Sequence, residues 1–388
     1  MEEGHPLQSL LRKIADEQNF TAATIDVTPT TSDGANYTSK LYLATISQEG
    51  RQELKLFAKV ANVGEKMRAM APFRIFDTEI FFYTKLIKTY RELEDNHDVP
   101  AENRLVTARF YGYDDTYLQE TLVWEDLTAK GFQMFDRFKS FDWAYASESV
   151  TQLARLHALS IAYSIERPDD FLKDAQSVKM QDRSDQMNSF VETAIAKVLT
   201  VVKEERKEKL RTFIKKMAEE NNFRGLMSPL RRGVFSHSDF RPSNLMHRYN
   251  KDGSVQVIPI DYQTVQHGNP ITDLLYFVFT GSDGAFRRQH YRPLLSHYHA
   301  QLSAALRALH LDPATVYPES HFELDLREVL PYGLLVSCML LTMVTVDAEN
   351  APVLTEDSDV MDFLMAPSEL CKMRLAEIVD DFTEMGVI

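Results

Sequence analysis

His237-Ser238-Asp239-Phe240-Arg241-Pro242-Ser243-Asn244, followed by Ile260-Asp261-Tyr262, is the stretch whose reading decides the fold. Four residues separate Asp239 from Asn244. The turn Asn250-Lys251-Asp252-Gly253 then leads into Val255-Gln256-Val257-Ile258-Pro259-Ile260, an apolar strand that ends at Asp261. Phosphoryl transfer is mainly positioning and charge neutralisation, and it calls for these residue types in this order. Asp239 would accept the proton of a substrate hydroxyl, while Asn244 and Asp261 would hold Mg²⁺ with the hard oxygen donors that ion prefers. Asp, Ser, Asn and Pro are also ordinary turn residues, so Asp-x₄-Asn alone says little. A histidine two residues before Asp239 and an apolar strand ending in Asp261 favour the catalytic reading.

Working upstream, the first third of the chain reads as strands at Thr24–Val27, Lys40–Ile46 and Leu54–Val60. A helical pattern follows at Asp77–Tyr90, then two more strands at Leu105–Tyr113 and Tyr117–Trp124. Lys59 lies in the third strand and Glu79 in the helix, a pairing that would fix the α- and β-phosphates of ATP. Gly34 and Asn36, in the turn-forming segment Ser32–Ser39, would belong to a hairpin covering the phosphates, although G-x-G-x-x-G is absent. Glu125 and Leu127 would present backbone groups to adenine. Downstream the pattern is mainly helical, with Glu148–Ser160 and a long amphipathic stretch from Met187 to Asn221. The expected layout is α+β in two lobes: a β-rich ATP-binding lobe over 1–124, a hinge at 125–128, and a helical lobe over 129–388.

At these residues the chain resembles the ecdysteroid kinase-like family of insects, a branch of the choline and aminoglycoside kinase group. The resemblance spans almost the whole chain. It rests on Gly34-Ala35-Asn36-Tyr37-Thr38-Ser39, Glu79 with Phe82-Tyr83, and Leu122-Val123-Trp124-Glu125-Asp126-Leu127 with Gly131-Phe132. It continues through Leu153-Ala154-Arg155-Leu156-His157-Ala158, the Asp239 loop, Ile260-Asp261-Tyr262-Gln263, and Asp273-Leu274-Leu275-Tyr276-Phe277. It implies a protein-kinase-like bilobal fold and ATP-dependent phosphorylation of a small-molecule hydroxyl, with ecdysteroids as the named substrate. It also implies that Asp273 accepts hydrogen bonds from the catalytic loop. Two departures stand out. Ser238 sits where the family usually has glycine, and Arg241-Pro242 replaces Trp-Val or a similar pair. Arg241 thereby takes the place of the lysine that meets the γ-phosphate in Ser/Thr protein kinases.

Composition narrows the rest. The 388 residues carry 43 Lys and Arg against 57 Asp and Glu, a net charge of −14, which argues against nucleic acid or an anionic membrane as partner. Two cysteines, Cys338 and Cys371, suit a reducing compartment, no secretory signal is legible, and a cytoplasmic location is expected. The longest apolar stretch, Tyr332–Val346, reads as a buried helix. His290, His297 and His299 with Asp283 lack the spacing of a zinc site. No activation segment ending in Ala-Pro-Glu follows Asp261, against a protein kinase; Ser238 alone favours a non-catalytic binder. Fifteen Met and 23 Phe are mostly core, with some available to line an adaptable apolar pocket for a steroid-sized ligand.

Overall fold

A computed structural model describes residues 6–31, 38–72, 74–180, 184–219, 222–350, 358 and 360–388. The N-terminal lobe is a five-stranded antiparallel sheet of order β1-β2-β3-β5-β4. Its strands are β1 (Thr24–Thr30), β2 (Ser39–Ser47), β3 (Leu54–Ala61), β4 (Phe110–Asp114) and β5 (Thr121–Glu125). Side-chain alternation along β3 explains how the sheet serves two layers. Leu56, Ala58 and Val60 pack beneath a helix at Pro6–Glu17, through its Leu7, Leu10, Leu11 and Ile14. Lys59 points to the opposite face, toward the Glu79 helix. The Pro6–Glu17 helix escapes the sequence reading, although its apolar spacing follows a helical stripe.

The expected helix at 77–90 is one longer helical run, Ile75–Phe81 and Ile87–Asn96 joined by a π-turn at Phe82–Leu86. The two strands after it are shorter than expected. Before Phe110 the amide of Leu105 donates to Glu94 Oε1 at 2.7 Å and that of Val106 to Gln152 Oε1 at 3.3 Å. Helix side chains thus take donors that a strand ladder would have used.

The helical lobe is built on Trp143–Glu166, packed along Gly284–Ala308. Every residue of the helix Pro270–Gly281 is buried. The stretch expected as one long helix from Met187 is two, Ser184–Val201 and Glu204–Glu219. Glu319–Val344 is long and apolar enough to cross a membrane by length and composition, but 67% of its most apolar window is buried inside the protein. It packs on Pro270–Gly281 and Glu369–Glu384 as a core helix. The hairpin Leu245–Tyr249 and Val255–Pro259 follows the sequence expectation, with Gly253 at φ 84° in its turn. A protein-kinase-like bilobal α+β fold results, its catalytic-loop segment placed between the sheet and the helices.

Candidate active site

Lys59 is carried into the interior by β3, and two carboxylates meet it there. Its Nζ donates to Glu79 Oε2 at 3.1 Å and Oε1 at 3.3 Å, and to Asp261 Oδ1 at 2.6 Å. Burial pushes the Lys59 ammonium toward neutrality, but Asp261 and Glu79 outweigh it and hold the group above the ordinary lysine range. Burial likewise pushes Glu79 up, to about 7, against the pull of Lys59. For Asp261 burial is overcome by the Lys59 and Arg241 charges, which hold its carboxyl below the usual range. Lys59 therefore sits as a cation between an ionised Asp261 and a more weakly acidic Glu79.

The Asp239 carboxylate is gripped on both oxygens. Oδ1 accepts from Tyr276 Oη at 2.5 Å and Arg241 Nε at 3.0 Å, and Oδ2 accepts from Asn244 Nδ2 at 2.7 Å. The same Asn244 nitrogen donates to the Asp239 carbonyl at 2.9 Å. Among the described residues, Asn244 Oδ1 and Asp261 Oδ2 have no donor. The two residues lie close because the Ile260 amide donates to the Asn244 carbonyl at 2.9 Å, continuing the hairpin register Leu245↔Pro259. Two protein oxygens of this kind fit a divalent ion that takes the rest of its shell from phosphates and water. No cluster of three or more His, Cys, Asp or Glu among the described residues offers a cage of its own.

Ser238 explains the glycine usual at its place. Its φ is 64°, in the left-handed region that disfavours a side chain by roughly 1–2 kcal/mol. Three contacts hold the segment there. The amides of His237 and Ser238 donate to Asp273 Oδ2 and Oδ1, each at 2.7 Å, and Gln266 Nε2 donates to Ser238 Oγ at 3.1 Å. Asp273, fully buried, is in turn met by His157 Nε2 at 3.1 Å, whose Nδ1 meets Tyr298 Oη at 2.7 Å. His157, expected as a satisfied core histidine, thus also braces the loop. His237 Nε2 meets the Ile260 carbonyl at 3.0 Å, an orienting contact. Asp261 has φ 67° as well, so two non-glycine residues of the site are strained.

At the hinge, Glu125 closes β5. Its amide donates to the Arg109 carbonyl at 2.9 Å, and its carboxylate takes the Arg109 amide and the Lys130 ammonium. The Leu127 carbonyl accepts from Lys130 and Phe132; among the described residues no acceptor meets the Leu127 amide. Gly34 and Asn36 lie outside the described residues. Tyr262 is buried after Asp261 and stacks on Phe82 with centroids 3.5 Å apart. His290, His297 and His299 are dispersed: His290 lies against Trp143 and Phe286, His297 meets Thr151 Oγ1, and His299 meets the Tyr317 carbonyl. Sequence reasoning assigned Tyr276 no role. Its signal was its place three residues after Asp273, on the same side of one helix.

A model of the ecdysteroid kinase-like family matches residues 33–311. No curated relative matches the chain. Among solved structures, the chain is similar to the GDP complex of a mutant aminoglycoside 2'-phosphotransferase-IIIa, at 10% identity with 98% of this chain and 99% of that one covered, TM-score 0.47. It is similar to an aminoglycoside-3'-phosphotransferase of type VIII at 13% identity, covering 87% and 100%, TM-score 0.32. A third is an aminoglycoside phosphotransferase from Streptomyces rimosus in complex with ADP and streptomycin, at 13% identity, covering 80% and 98%, TM-score 0.27.

Proposed function

Since the chain belongs to the ecdysteroid kinase-like family and is accordingly a small-molecule kinase that phosphorylates a hydroxyl, we propose that it uses Mg-ATP to phosphorylate a steroid alcohol, an ecdysteroid. The observation that carries the chemistry is the Asp239 carboxylate, fixed by Tyr276, Arg241 and Asn244 beside the oxygens of Asn244 and Asp261. Asp239 orients the acceptor hydroxyl and takes its proton as the oxygen attacks the γ-phosphorus. Lys59, fixed by Glu79, meets the α- and β-phosphates. Only the Nε of Arg241 is engaged among the described residues, so its terminal nitrogens are left for the γ-phosphate. Asn244 and Asp261 hold Mg²⁺, which when bound neutralises phosphate charge. The Leu127 amide donates to adenine, the Glu125 carbonyl accepts from it, and the Gly34–Asn36 turn covers the phosphates.

An apolar acceptor is supported by the wall next to Asp239. Tyr332 lies close enough to Asp273 and Asp239 that, after burial, their charges push its phenol further up. Val336 and Met339 follow on the same side of that helix, and Met339 packs with Ala194, Leu364, Phe190 and Met361. No charged side chain stands in that row. A phosphate ester adds about −1.5 to −2 charge near neutral pH, which would retain the steroid in a cytoplasm and mask the hydroxyl, as storage or inactivation requires. The test is incubation with Mg-ATP and an ecdysteroid panel, read by mass spectrometry as the mass gain of one phosphoryl group. Phosphorylation of choline-like or xenobiotic alcohols and of no steroid would overturn the substrate assignment while leaving the kinase.

A further inference from the structure

Counting acceptor sites on Asp239 carries the reading above one step further, and it rests on that reading. A carboxylate oxygen accepts about two hydrogen bonds. Oδ1 already has two, from Tyr276 Oη at 2.5 Å and Arg241 Nε at 3.0 Å; Oδ2 has one, from Asn244 Nδ2 at 2.7 Å. We propose that Tyr276 is a positioning residue for phosphoryl transfer: its hydroxyl fills Oδ1 and fixes the carboxylate plane, so that the acceptor hydroxyl is received on Oδ2 alone.

Tyr276 is suited to this by its placement. It lies on the fully buried helix Pro270–Gly281, and is itself 5% exposed. One turn earlier, Asp273 holds the His237 and Ser238 amides. A single rigid helix thus fixes the loop backbone through Asp273 and the carboxylate through Tyr276. Burial first, then the Asp239 charge, push the Tyr276 phenol well above its ordinary value, so it remains a donor at neutral pH and does not compete for the substrate proton. In the transfer step the acceptor oxygen forms its bond to the γ-phosphorus of ATP, and the bond from that phosphorus to the bridging oxygen breaks. ADP leaves with the electron pair, and the acceptor proton passes to Asp239 Oδ2. Without Tyr276 the carboxylate can rotate and offer Oδ1 as a competing site, which misplaces the attacking oxygen without altering the nucleotide cradle.

The experiment is steady-state kinetics on Tyr276→Phe, which keeps the ring and removes the donor, with Asp239→Asn measured alongside. The expected result is a kcat lower by about 10- to 100-fold, the range for one hydrogen bond to a charged group, with the KM for Mg-ATP and the thermal midpoint held. Donor-bearing 3-fluorotyrosine at 276 should restore most of the rate. Wild-type kcat in Tyr276→Phe, or a loss accompanied by a raised nucleotide KM and a fallen midpoint, would overturn the proposal. Turnover persisting in Asp239→Asn would instead overturn the reading of the site on which it stands.

Discussion

Replacing Asp273 by asparagine tests whether one buried carboxylate holds the catalytic loop in its strained shape. The substitution keeps the volume and removes the charge. One of its two terminal positions becomes an NH₂ group facing an amide that also donates, from either His237 or Ser238. Those amides meet Asp273 at 2.7 Å each, and His157 Nε2 meets it at 3.1 Å. Losing one hydrogen bond to a charged acceptor is worth about 1.5–3 kcal/mol, and reducing the other to a neutral bond roughly another 1 kcal/mol. Ser238, at φ 64°, supplies a further roughly 1–2 kcal/mol in favour of leaving that conformation. The sum, about 3–5 kcal/mol, is borne by one loop, so the loop opens before the protein unfolds. Hydrogen exchange read by NMR at the His237 and Ser238 amides should quicken by about two orders of magnitude or more, since each 1.4 kcal/mol is roughly tenfold. Turnover should fall by at least as much, with a thermal midpoint lower by only several degrees. Exchange at both amides and turnover within threefold of wild type would refute the reasoning.

Three further outcomes follow from the same contacts. Lys59→Met removes the cation between Glu79 and Asp261 and leaves two buried carboxylates facing each other; kcat should fall by about 10³-fold or more in a coupled ADP assay, and the midpoint should drop, because an unpaired buried charge costs about 3–5 kcal/mol. Retained turnover would remove Lys59 from the site. Ser238→Gly sets relief of roughly 1–2 kcal/mol against about 0.4–1 kcal/mol of unfolded-chain entropy and the Gln266 hydrogen bond; denaturant melts should place it within about 1 kcal/mol of wild type, and a larger loss would mean the serine hydroxyl holds the loop. Burial pushes the Cys338 thiol up to about 12 and that of Cys371 to about 11, so at pH 8 roughly one part in 10³ or less is thiolate. Iodoacetamide should leave both unmodified in the folded protein and alkylate both in guanidinium, and rapid labelling of the native chain would contradict their burial.

Much of the site was legible because its residues are close in sequence or sit on strongly patterned elements. Asp239, Asn244 and Asp261 share one loop and hairpin, and Lys59 and Glu79 were marked by strand and helix periodicity once the loop was read. What stayed hidden depends on contacts between distant segments. Tyr276 meets Asp239 across 37 positions and His157 meets Asp273 across 116, and no local pattern encodes such a meeting. The segment before Phe110 read as a strand because its side chains alternate; its amides were claimed by Glu94 and Gln152, which a linear pattern cannot register. The Pro6–Glu17 helix was legible in its Leu7, Leu10, Leu11 and Ile14 spacing and was passed over. Ser238 appeared in sequence as an anomaly, and only its backbone angle shows why glycine is usual there.

The central claim is that this chain transfers phosphate to a small-molecule alcohol through Asp239. Its most direct test is mass spectrometry of an ecdysteroid panel incubated with Mg-ATP and either the wild-type protein or Asp239→Asn. The account predicts a phosphorylated steroid with the wild type, no product with the variant, and undiminished ATP binding by both. Equal product from the two proteins, or no phosphorylated product from any alcohol offered to the wild type, would contradict it.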